Sequence, residues 1–353
     1  MIEENFEKQA LSLLRQIIAI PSYSGDEELL SRFLENWLRE KNFIVNRKNN
    51  NIWVESFIDE SYPKILLNSH MDTIKVVAGW TRDPFIAEEE ENRIYGLGSS
   101  DAGGSLVSLV FAFLHLAGLK DRKYNLILLI SAEEENSGPN GIGTALEQIG
   151  KIDLALVGEP TDHEMAICER GLVVIDCLAT GKSGHVAHQS GDNAIYKAVS
   201  DIEIIRKLKF DKSSELLGDV QVEVTQIEAG YQHNVVPDEC RFVLDVRTNE
   251  LYSNEEVVEI LKKHISSEVI PRSFRLKSSA IDPEHPLVKK AVEMNVNTFG
   301  SRTMSDQALI PAPSVKIGPG RSALSHQPDE YIVKDDIIKA IELYISLLQN
   351  FKF

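Results

Sequence analysis

The chain has 353 residues, of which 43% are hydrophobic and 26% charged, a composition typical of a globular protein too long for one core. Its 54 acidic residues against 37 basic ones give a formal net charge of -17, which argues against binding the phosphate backbone of nucleic acids. The apolar stretch near Ser105 to Leu119 is shorter than the roughly 20 residues of a membrane span, and Met1 to Ala10 carries acids where a signal peptide carries bases. We therefore expect a cytoplasmic, two-domain protein with neither nucleic acid nor membrane as partner.

The three cysteines are Cys168, Cys177 and Cys240. They are an odd set without a CxxC pair, so the sequence indicates neither a disulfide framework nor a thiolate zinc site. We expect three reduced thiols with structural roles.

Apolar periodicity near both ends of the chain alternates between helix and strand. The run Leu126 to Ile130 is continuously apolar, which is typical of a strand covered on both faces. The alternation predicts a layered α/β domain with a mixed sheet. The predicted elements are helices at 4–20 and 27–41, strands at 52–57 and 64–69, a helix at 104–119, strands at 126–130 and 154–157, a helix at 287–298, the strand "SVKI" and a final long helix.

The middle of the chain follows a different order of elements: strand, helix, two strands, helix and strand. This βαββαβ order is typical of a ferredoxin-like α+β sandwich. It predicts a second domain inserted into the first, with crossings near residues 171 and 277. The predicted elements are the strand "LVVIDCLAT", a helix at 193–208, the strands "VQVEVTQIEA" and "CRFVLDVR", a helix at 255–267 and the strand "SFRLKSS".

The stretch "NSHMDT" ends a predicted strand with His70 and Asp72. In an extended chain, residues i and i+2 point to the same side, so both side chains reach a common point. The spacing suits an imidazole ligand and a carboxylate that orients it. For this motif in isolation, a histidine that is merely hydrogen-bonded is the alternative.

Further acidic or imidazole features follow apolar strands or lie in glycine-rich turns. Ligand sites of open α/β sheets gather at strand ends, and two imidazoles with three or more carboxylates suit zinc or a similar divalent ion. A carboxylate shared by two ions is a known two-metal arrangement. For the glutamate triplet, a solvated turn is the alternative. The features are Asp101 in "GLGSSDAGG", the triplet Glu133 to Glu135, Glu159 in "GEPT" and His326 in "ALSHQPDE".

The stretch "GLGSSDAGG" also contains the GxG of a dinucleotide-binding loop. Its sixth position is Asp101 rather than glycine, which puts a carboxylate where the cofactor pyrophosphate would lie. Charge repulsion therefore argues against a dinucleotide site.

Five motifs, taken in order, resemble those of the M20 family of metal-dependent amidohydrolases, in particular its acetylornithine deacetylase and succinyl-diaminopimelate desuccinylase branch. The resemblance spans almost the whole chain and includes an inserted lid domain. It implies a catalytic metal-binding domain of residues 1–170 and 278–353, and a lid and dimerisation domain of residues 171–277. The motifs are "SHMDT", "YGLGSSDAGG", "AEEE", "VGEPT" and "SALSHQPDEY".

The resemblance implies a zinc-dependent enzyme with two divalent ions, although cobalt or manganese would satisfy the same ligands. His70 and Glu159 would hold the first ion, and Glu134 and His326 would hold the second. Asp101 would bridge the two ions, and a cis peptide bond is implied directly after it.

Catalytic roles follow from the same resemblance. Asp72 would orient the neighbouring imidazole, and Glu133 would be the general base that takes a proton from the attacking water and returns it to the leaving amine. The family's glutamate pair is usually preceded by Asp and followed by Gly, whereas Ala132 and Glu135 stand here. A register shifted by one residue, with Glu134 as the base, therefore stays open.

The inserted domain contributes further candidates by resemblance. His185 in "GKSGHVAH" would reach the active site of a partner subunit and stabilise the oxyanion, which implies a homodimer. Asn234 would contact the substrate and Arg247 would bind its α-carboxylate, because a planar guanidinium matches a carboxylate at two points. A surface histidine and a strand-end charge are the alternatives for His185 and Arg247, and His188 is expected to be structural.

Two loops near the C-terminus, "TMSDQ" and "GPGRS", resemble loops near the substrate. Ser305, Asp306 and Arg321 are therefore candidates for substrate binding. Arg321 is suited to hold a negatively charged acyl group.

The expected activity is hydrolysis of the amide bond of a small N-acyl amino acid, with N-acetylornithine in arginine biosynthesis as the favoured substrate. N-Succinylornithine or N-succinyl-diaminopimelate is the alternative substrate. A dipeptidase or carboxypeptidase of the same family and a non-catalytic metal-binding protein of this fold are further alternatives. The last of these is weakened because every ligand position is filled.

Overall fold

The computed structural model describes residues 4–188 and 190–353. The helices are α1 (Glu4–Ile18), α2 (Glu28–Glu40), α3 (Gly104–Ala117), α4 (Ile142–Ile149), α5 (Ala194–Lys207), α6 (Asn254–His264), α7 (Pro286–Glu293) and α8 (Lys334–Leu348). The strands are β1 (Val45–Lys48), β2 (Asn51–Ser56), β3 (Lys64–His70), β4 (Glu88–Glu90), β5 (Arg93–Tyr95), β6 (Asn125–Ser131), β7 (Leu154–Val157), β8 (Met165–Glu169), β9 (Gly171–Thr180), β10 (Gly184–His185), β11 (Gln221–Ala229), β12 (Val235–Val236), β13 (Glu239–Thr248), β14 (Glu268–Pro271), β15 (Ser279–Ala280), β16 (Thr298–Ser301), β17 (Ser314–Lys316) and β18 (Tyr331–Val333).

The chain divides into two compact units. The first comprises the described residues up to Ile167 together with Ile281–Phe299 and Ser305–Phe353. The second comprises the described residues of Cys168–Ala280 together with Gly300–Met304. The second unit thus begins and ends three residues outside the crossings expected near 171 and 277, and it takes in a short segment that the sequence assigned to the first.

The first unit is built on a mixed sheet in which the strands follow the order β1-β2-β6-β3-β7-β17-β8. Strand β3 runs parallel to β6 and β7, and β17 runs parallel to β7, whereas β2 and β8 are antiparallel to their neighbours β6 and β17. All residues of β6 and β7 are buried, as expected for parallel strands covered on both faces. The predicted α/β fold class is confirmed.

Helices cover both faces of this sheet. Leu13 of α1, Leu109 of α3 and Ile341 of α8 join the larger core, which receives alternate residues of the strands. Ile142 of α4 belongs to a second core on the opposite face. The helical run Ser99–Ala117 is long and apolar enough to cross a membrane, but 78% of it is buried, as in the central helix of a globular core.

The parallel strands bring their carboxyl ends to one edge of the sheet. His70 at the end of β3 is paired in register with Ser131 at the end of β6, and Asn68 is paired with Val157 at the end of β7. Side chains that directly follow these strands therefore gather at one place, where open α/β sheets commonly bind ligands.

The second unit contains a four-stranded antiparallel sheet with the strand order β11-β13-β9-β14. Burial alternates along β9, whose inward residues such as Val173 pack with Ala198 of α5 and Val257 of α6. The order β9, α5, β11, β13, α6 and β14 confirms the predicted βαββαβ arrangement. The short strands β10 and β12 form a separate pair.

The last strand of this four-stranded sheet is β14, and the predicted strand "SFRLKSS" is wrong. Helix α6 ends at His264, earlier than the predicted residue 267. The backbone N–H groups of Ser266 and Ser267 donate to the buried Asp201 carboxylate at 3.1 and 2.7 Å. These bonds hold the segment outside the helix, so the strand begins at Glu268.

Several elements of the first unit also differ from the prediction. Helix α7 ends at Glu293 rather than near 298, because Asn295 adopts a left-handed conformation with φ of 62°. Helix α4 and short strands such as β1, β5 and β18 were not predicted.

The three cysteines are free and buried, as predicted.

Candidate metal centre

Carboxylates and imidazoles of the first unit converge beside the carboxyl ends of its parallel strands. One group consists of His70, Asp101 and Glu159, and a second consists of Asp101, Glu135 and His326. Within each group, one ligand atom per residue lies within 4.8 Å of the others. Asp101 is common to both groups, as expected of a bridging carboxylate.

The two oxygens of Asp101 face different imidazoles. Oδ1 lies 3.2 Å from Nε2 of His70, and the same Nε2 lies 3.8 Å from Oε1 of Glu159. Oδ2 lies 3.9 Å from Nε2 of His326, which in turn lies 2.9 Å from Oε2 of Glu135. One carboxylate thus contributes an oxygen to each group.

Asp72 supports both the imidazole of His70 and the turn that carries the glutamates. Nδ1 of His70 lies 3.0 Å from the backbone carbonyl oxygen of Asp72 and 3.5 Å from its Oδ1. The two carboxylate oxygens of Asp72 accept hydrogen bonds from the backbone N–H groups of Glu134 and Glu135, each at 3.1 Å. The predicted neighbourhood of Asp72 and His70 is present.

The glutamate that accompanies His326 is Glu135, which corrects the predicted grouping with Glu134. Glu133 belongs to neither ligand group, because its carboxylate accepts hydrogen bonds from the backbone N–H and Nδ2 of Asn140 at 2.9 and 3.0 Å. Its φ of 55° is left-handed and turns the chain at this point. The structure therefore shifts the register of the triplet by one residue.

The carboxyl groups at this edge raise one another's pKa values. Burial and the charges of Glu159, Asp306 and Glu135 raise the pKa of Glu134 well above its ordinary value, against the opposing effect of His70. Burial and the charge of Asp101 raise the pKa of Glu135 and of Glu159 to about 8. Without cations, these acids therefore resist being charged together.

The imidazole of His70 and the carboxylate of Asp101 each favour the charged form of the other. Burial disfavours the charged imidazole, but hydrogen bonds to Asp101 and Asp72 raise the pKa of His70 well above its ordinary value. Burial likewise disfavours a charged Asp101, but the hydrogen bond with His70 keeps the pKa of Asp101 below its ordinary value.

The residues at this edge fit divalent cations. Among the described residues, the buried Oε1 of Glu159 has no hydrogen-bond partner. A buried polar atom without a partner costs about 1–3 kcal/mol, and a cation would satisfy it. Two imidazoles with carboxylates are a donor set typical of zinc.

The supporting residues Glu330 and Ser325 were missed by sequence reasoning. The buried Glu330 carboxylate accepts hydrogen bonds from the backbone around Asp101, and the Ser325 hydroxyl donates to Oδ2 of Asp101. In the sequence, the pair Asp329 and Glu330 looks like two ordinary surface acids, and only closeness to His326 distinguishes them. The implied cis peptide after Asp101 is present in the structure.

The predicted substrate residues of the first unit lie in different surroundings. Ser305 and Asp306 are both buried, and the hydroxyl of Ser131 donates to Oδ2 of Asp306 at 2.5 Å. Burial raises the pKa of Asp306 to about 6, against this hydrogen bond. Arg321 is 65% exposed, with its Nε 3.6 Å from Oδ2 of Asp162.

The predicted lid residues belong to the second unit. His185 is exposed, and its Nδ1 accepts a hydrogen bond from the backbone N–H of Ala187 at 3.2 Å. The guanidinium of Arg247 donates to both carboxylate oxygens of Asp245 at 2.6 and 2.9 Å. Asn234 is half-buried. The roles of these residues toward a substrate stay predictions.

An α/β unit with two ligand groups at its strand ends, interrupted by an α+β unit, is the scaffold of a metallohydrolase. Residues 66–350 match the family described as Peptidase family M20/M25/M40, and the chain belongs to this family. The predicted family is thereby confirmed.

Relatives with assigned activities match over nearly the full length. The chain is 26% identical over 391 residues to the succinyl-diaminopimelate desuccinylase of Orientia tsutsugamushi (strain Ikeda), covering 98% of each chain. It is 26% identical over 377 residues to the acetylornithine deacetylase of Edwardsiella ictaluri, covering 97% of each. A dinuclear metal-binding peptidase of family M20 from Bacillus subtilis has the same fold, with a TM-score of 0.76 at 16% identity over 98% of each chain. The chain is therefore a hydrolase of this family.

Proposed function

We propose that this chain is a two-metal deacylase that hydrolyses the amide bond of an N-acyl amino acid, with N-acetylornithine as the favoured substrate. The observation that carries the proposal is the pair of ligand groups sharing Asp101, with the carboxyl group of Glu134 among them. The names of the two curated relatives, a deacetylase and a desuccinylase, support amide hydrolysis.

The ions would be held by the two ligand groups. His70, Asp101 and Glu159 would bind one divalent ion, and Asp101, Glu135 and His326 would bind the other. Zinc suits these ligands, and cobalt or manganese would also be accepted. When bound, the ions would polarise the amide carbonyl and lower the pKa of the attacking water.

Glu134 is the general base in this proposal. Its carboxylate takes a proton from the attacking water while the new carbon–oxygen bond forms. It then returns the proton to the amide nitrogen as the carbon–nitrogen bond breaks, which yields a carboxylic acid and an amine. The acid passes the remaining proton of the water to the amine, so a carboxylate and an ammonium group leave the site. Burial and the neighbouring charges of Glu159 and Asp306 raise the pKa of Glu134 in the metal-free protein. Bound cations would favour its charged form, which is the form that accepts a proton.

The second unit supplies substrate recognition in this proposal. Arg247 would exchange its two-point contact with Asp245 for the α-carboxylate of the substrate, to which the same planar geometry applies. Asn234 would contact the substrate, and His185 would stabilise the oxyanion in the active site of a partner subunit.

A homodimer is supported by the surface of the second unit taken by itself. Strand β11 lies at the edge of its sheet, and Ile227 on this strand is 56% exposed. Tyr196 on α5 is 73% exposed. An edge strand presents unpaired backbone groups, to which a strand of another chain can add.

Mixing two inactive variants tests the proposed role of His185. H185A and E134Q are expected to be inactive separately but to regain turnover when mixed, because a mixed dimer contains one site with both residues intact. Random exchange between symmetric dimers restores about a quarter of the wild-type sites. A mixture that stays inactive although native mass spectrometry shows mixed dimers would contradict the role.

N-Succinyl-diaminopimelate is the second candidate substrate. The desuccinylase and the deacetylase relatives are each 26% identical to this chain, so both acyl groups deserve the same test. Arg321, which is exposed and only 3.6 Å from Asp162, is the residue proposed to bind a succinyl carboxylate.

Amine release tests the proposed function. Zinc-loaded protein is given N-acetylornithine, N-succinylornithine, N-succinyl-diaminopimelate and a dipeptide, with metal-stripped protein as the control. A preference for N-acetylornithine supports the proposal, and a preference for a succinyl substrate that R321A removes supports the second candidate. Hydrolysis of the dipeptide alone would overturn both.

A further inference from the structure

We infer that Glu330 is a positioning residue that sets the spacing between Asp101 and His326, and hence the affinity for the second ion. The inference rests on the proposed two-metal function. The hydrogen bonds that the Glu330 carboxylate accepts come from backbone N–H groups and not from the side chain of a predicted ligand. Glu330 acts on the backbone that carries the ligands.

The carboxylate of Glu330 binds the loop that presents Asp101. Its Oε1 accepts hydrogen bonds from the backbone N–H groups of Ser100 and Asp101 at 2.7 and 2.9 Å, and its Oε2 accepts one from Gly98 at 2.9 Å. Its own backbone carbonyl accepts from the N–H of Gly96 at 3.0 Å. The loop thus depends on one buried side chain, only 2% exposed.

The same side chain belongs to the segment that presents His326. Glu330 follows His326 by four residues, and the hydroxyl of Ser325 at the start of the segment donates to Oδ2 of Asp101. Asp329 fixes the segment on another side by accepting hydrogen bonds from the backbone N–H groups of Thr81 and Arg82 at 2.9 and 3.2 Å. Glu330 therefore connects the two chain segments from which Asp101 and His326 project.

The chemistry of the contact requires a carboxylate. All three groups that meet its oxygens are N–H donors, so both oxygens must accept. A glutamine would direct its own N–H2 group at the N–H of Gly98 or, if turned over, at those of Ser100 and Asp101. Its amide would fill the same space but would push the loop away from the segment of His326.

Selectivity between the two ion sites distinguishes positioning from general stability. His326 belongs only to the second ligand group, whereas His70 and Glu159 belong only to the first. Moving the segment of His326 relative to Asp101 therefore weakens the second ion more than the first. Loss of an outer-shell partner typically costs about 10- to 100-fold in metal affinity.

One matched variant controls for the loss of a carboxylate. Asp201 is also 2% exposed and also accepts from backbone N–H groups, those of Ser266 and Ser267, but it lies in the second unit. D201N is therefore expected to keep wild-type affinity for both ions.

The test is a calorimetric titration of metal-stripped wild type, E330Q and D201N with Co2+, accompanied by visible absorption spectra. We expect E330Q to bind the first ion normally and the second about 10- to 100-fold more weakly, with altered bands for the second equivalent. Unchanged binding of both ions by E330Q would overturn the inference, as would an equal loss in D201N. Should E330Q not fold, E330D decides, because it keeps the charge but withdraws the oxygens by one methylene. It is expected to show the same selective loss, and wild-type affinity in E330D would overturn the inference. Wild type that binds no Co2+ would instead overturn the proposed metal centre.

Discussion

Buried carboxylates occur in both units, but their surroundings differ. Asp201 in the second unit accepts hydrogen bonds from the backbone N–H and hydroxyl groups of Ser266 and Ser267, so its charge is satisfied within the fold. Glu159 in the first unit has a buried oxygen without a partner among the described residues, and burial together with its acidic neighbours raises its pKa to about 8. A satisfied carboxylate stabilises a fold, whereas an unsatisfied group of them indicates a site that takes a cation.

The largest expected effect comes from replacing the proposed base. E134Q is expected to lower kcat by about 10²- to 10⁴-fold, the usual contribution of general acid–base catalysis, because an amide cannot accept the proton of the attacking water. The measurement is amine release under saturating substrate, with metal content determined on the same sample.

E133Q is the matched control for E134Q, one residue away in the same turn. The carboxylate of Glu133 binds Asn140 and belongs to neither ligand group, so E133Q should retain most of the turnover. If E133Q were inactive and E134Q active, the base would be Glu133 after all, and the register read from the structure would not describe catalysis.

A ligand change is expected to act on affinity for one ion. E135A removes a proposed ligand oxygen, which lies 2.9 Å from Nε2 of His326. Because loss of a residue that only supports a ligand already costs up to about 100-fold in metal affinity, the second ion should bind at least about 100-fold more weakly. E159A should weaken the first ion instead. Calorimetric titration with Zn2+ measures both, and identical behaviour of the two variants would argue against two distinct ligand groups.

The raised pKa values predict how the stability of metal-free protein depends on pH. The folded-state pKa of Glu159 is about 8, above its ordinary value of 4.5, so the folded state binds more protons between these values. Its free energy of unfolding should therefore fall as the pH rises from about 5 to about 8, by at most about 1.4 kcal/mol per pH unit for each proton. Urea unfolding at several pH values measures this slope.

The variant E159Q should make that slope shallower, because an amide does not titrate. E133Q serves again as the control and should follow wild type. Adding Zn2+ should also flatten the slope of wild type, because a bound cation favours the charged carboxylates. A slope that is equal in wild type and E159Q would show that Glu159 does not carry the charge repulsion.

The smallest effect on activity is expected from replacing Asp201, which is buried in the second unit. D201N should cost about 2 kcal/mol of unfolding free energy, since it leaves backbone N–H groups facing an amide, and should leave kcat and metal content unchanged. Thermal unfolding and amine release measure the two. A change in metal affinity would remove the contrast between the satisfied and the unsatisfied carboxylates.

The sequence predicts which residues follow the strands, but it does not predict how the backbone turns after each strand and which side chains then face the site. His70, Asp101, Glu159 and His326 were all predicted, because each follows an apolar strand or lies in a recognisable motif. The register of the glutamate triplet was not, because three identical side chains in a row differ only in backbone conformation. The left-handed φ of Glu133 turns the chain there, and Glu135 is the glutamate that joins the second ligand group.

Residues that act through the backbone were beyond sequence reasoning. Glu330 and Asp329 are adjacent acids, yet one is buried beneath the loop of Asp101 and the other binds Thr81 and Arg82. Partners so distant along the chain become visible only when the fold brings them together.

The most direct measurement is a zinc titration of metal-stripped protein that follows amine release from N-acetylornithine or the preferred acyl amino acid. We predict negligible turnover without metal, two bound equivalents per chain, and a rise in turnover that the second equivalent completes. Full turnover in the presence of a chelator, or protein that binds no zinc, would contradict a two-metal hydrolase.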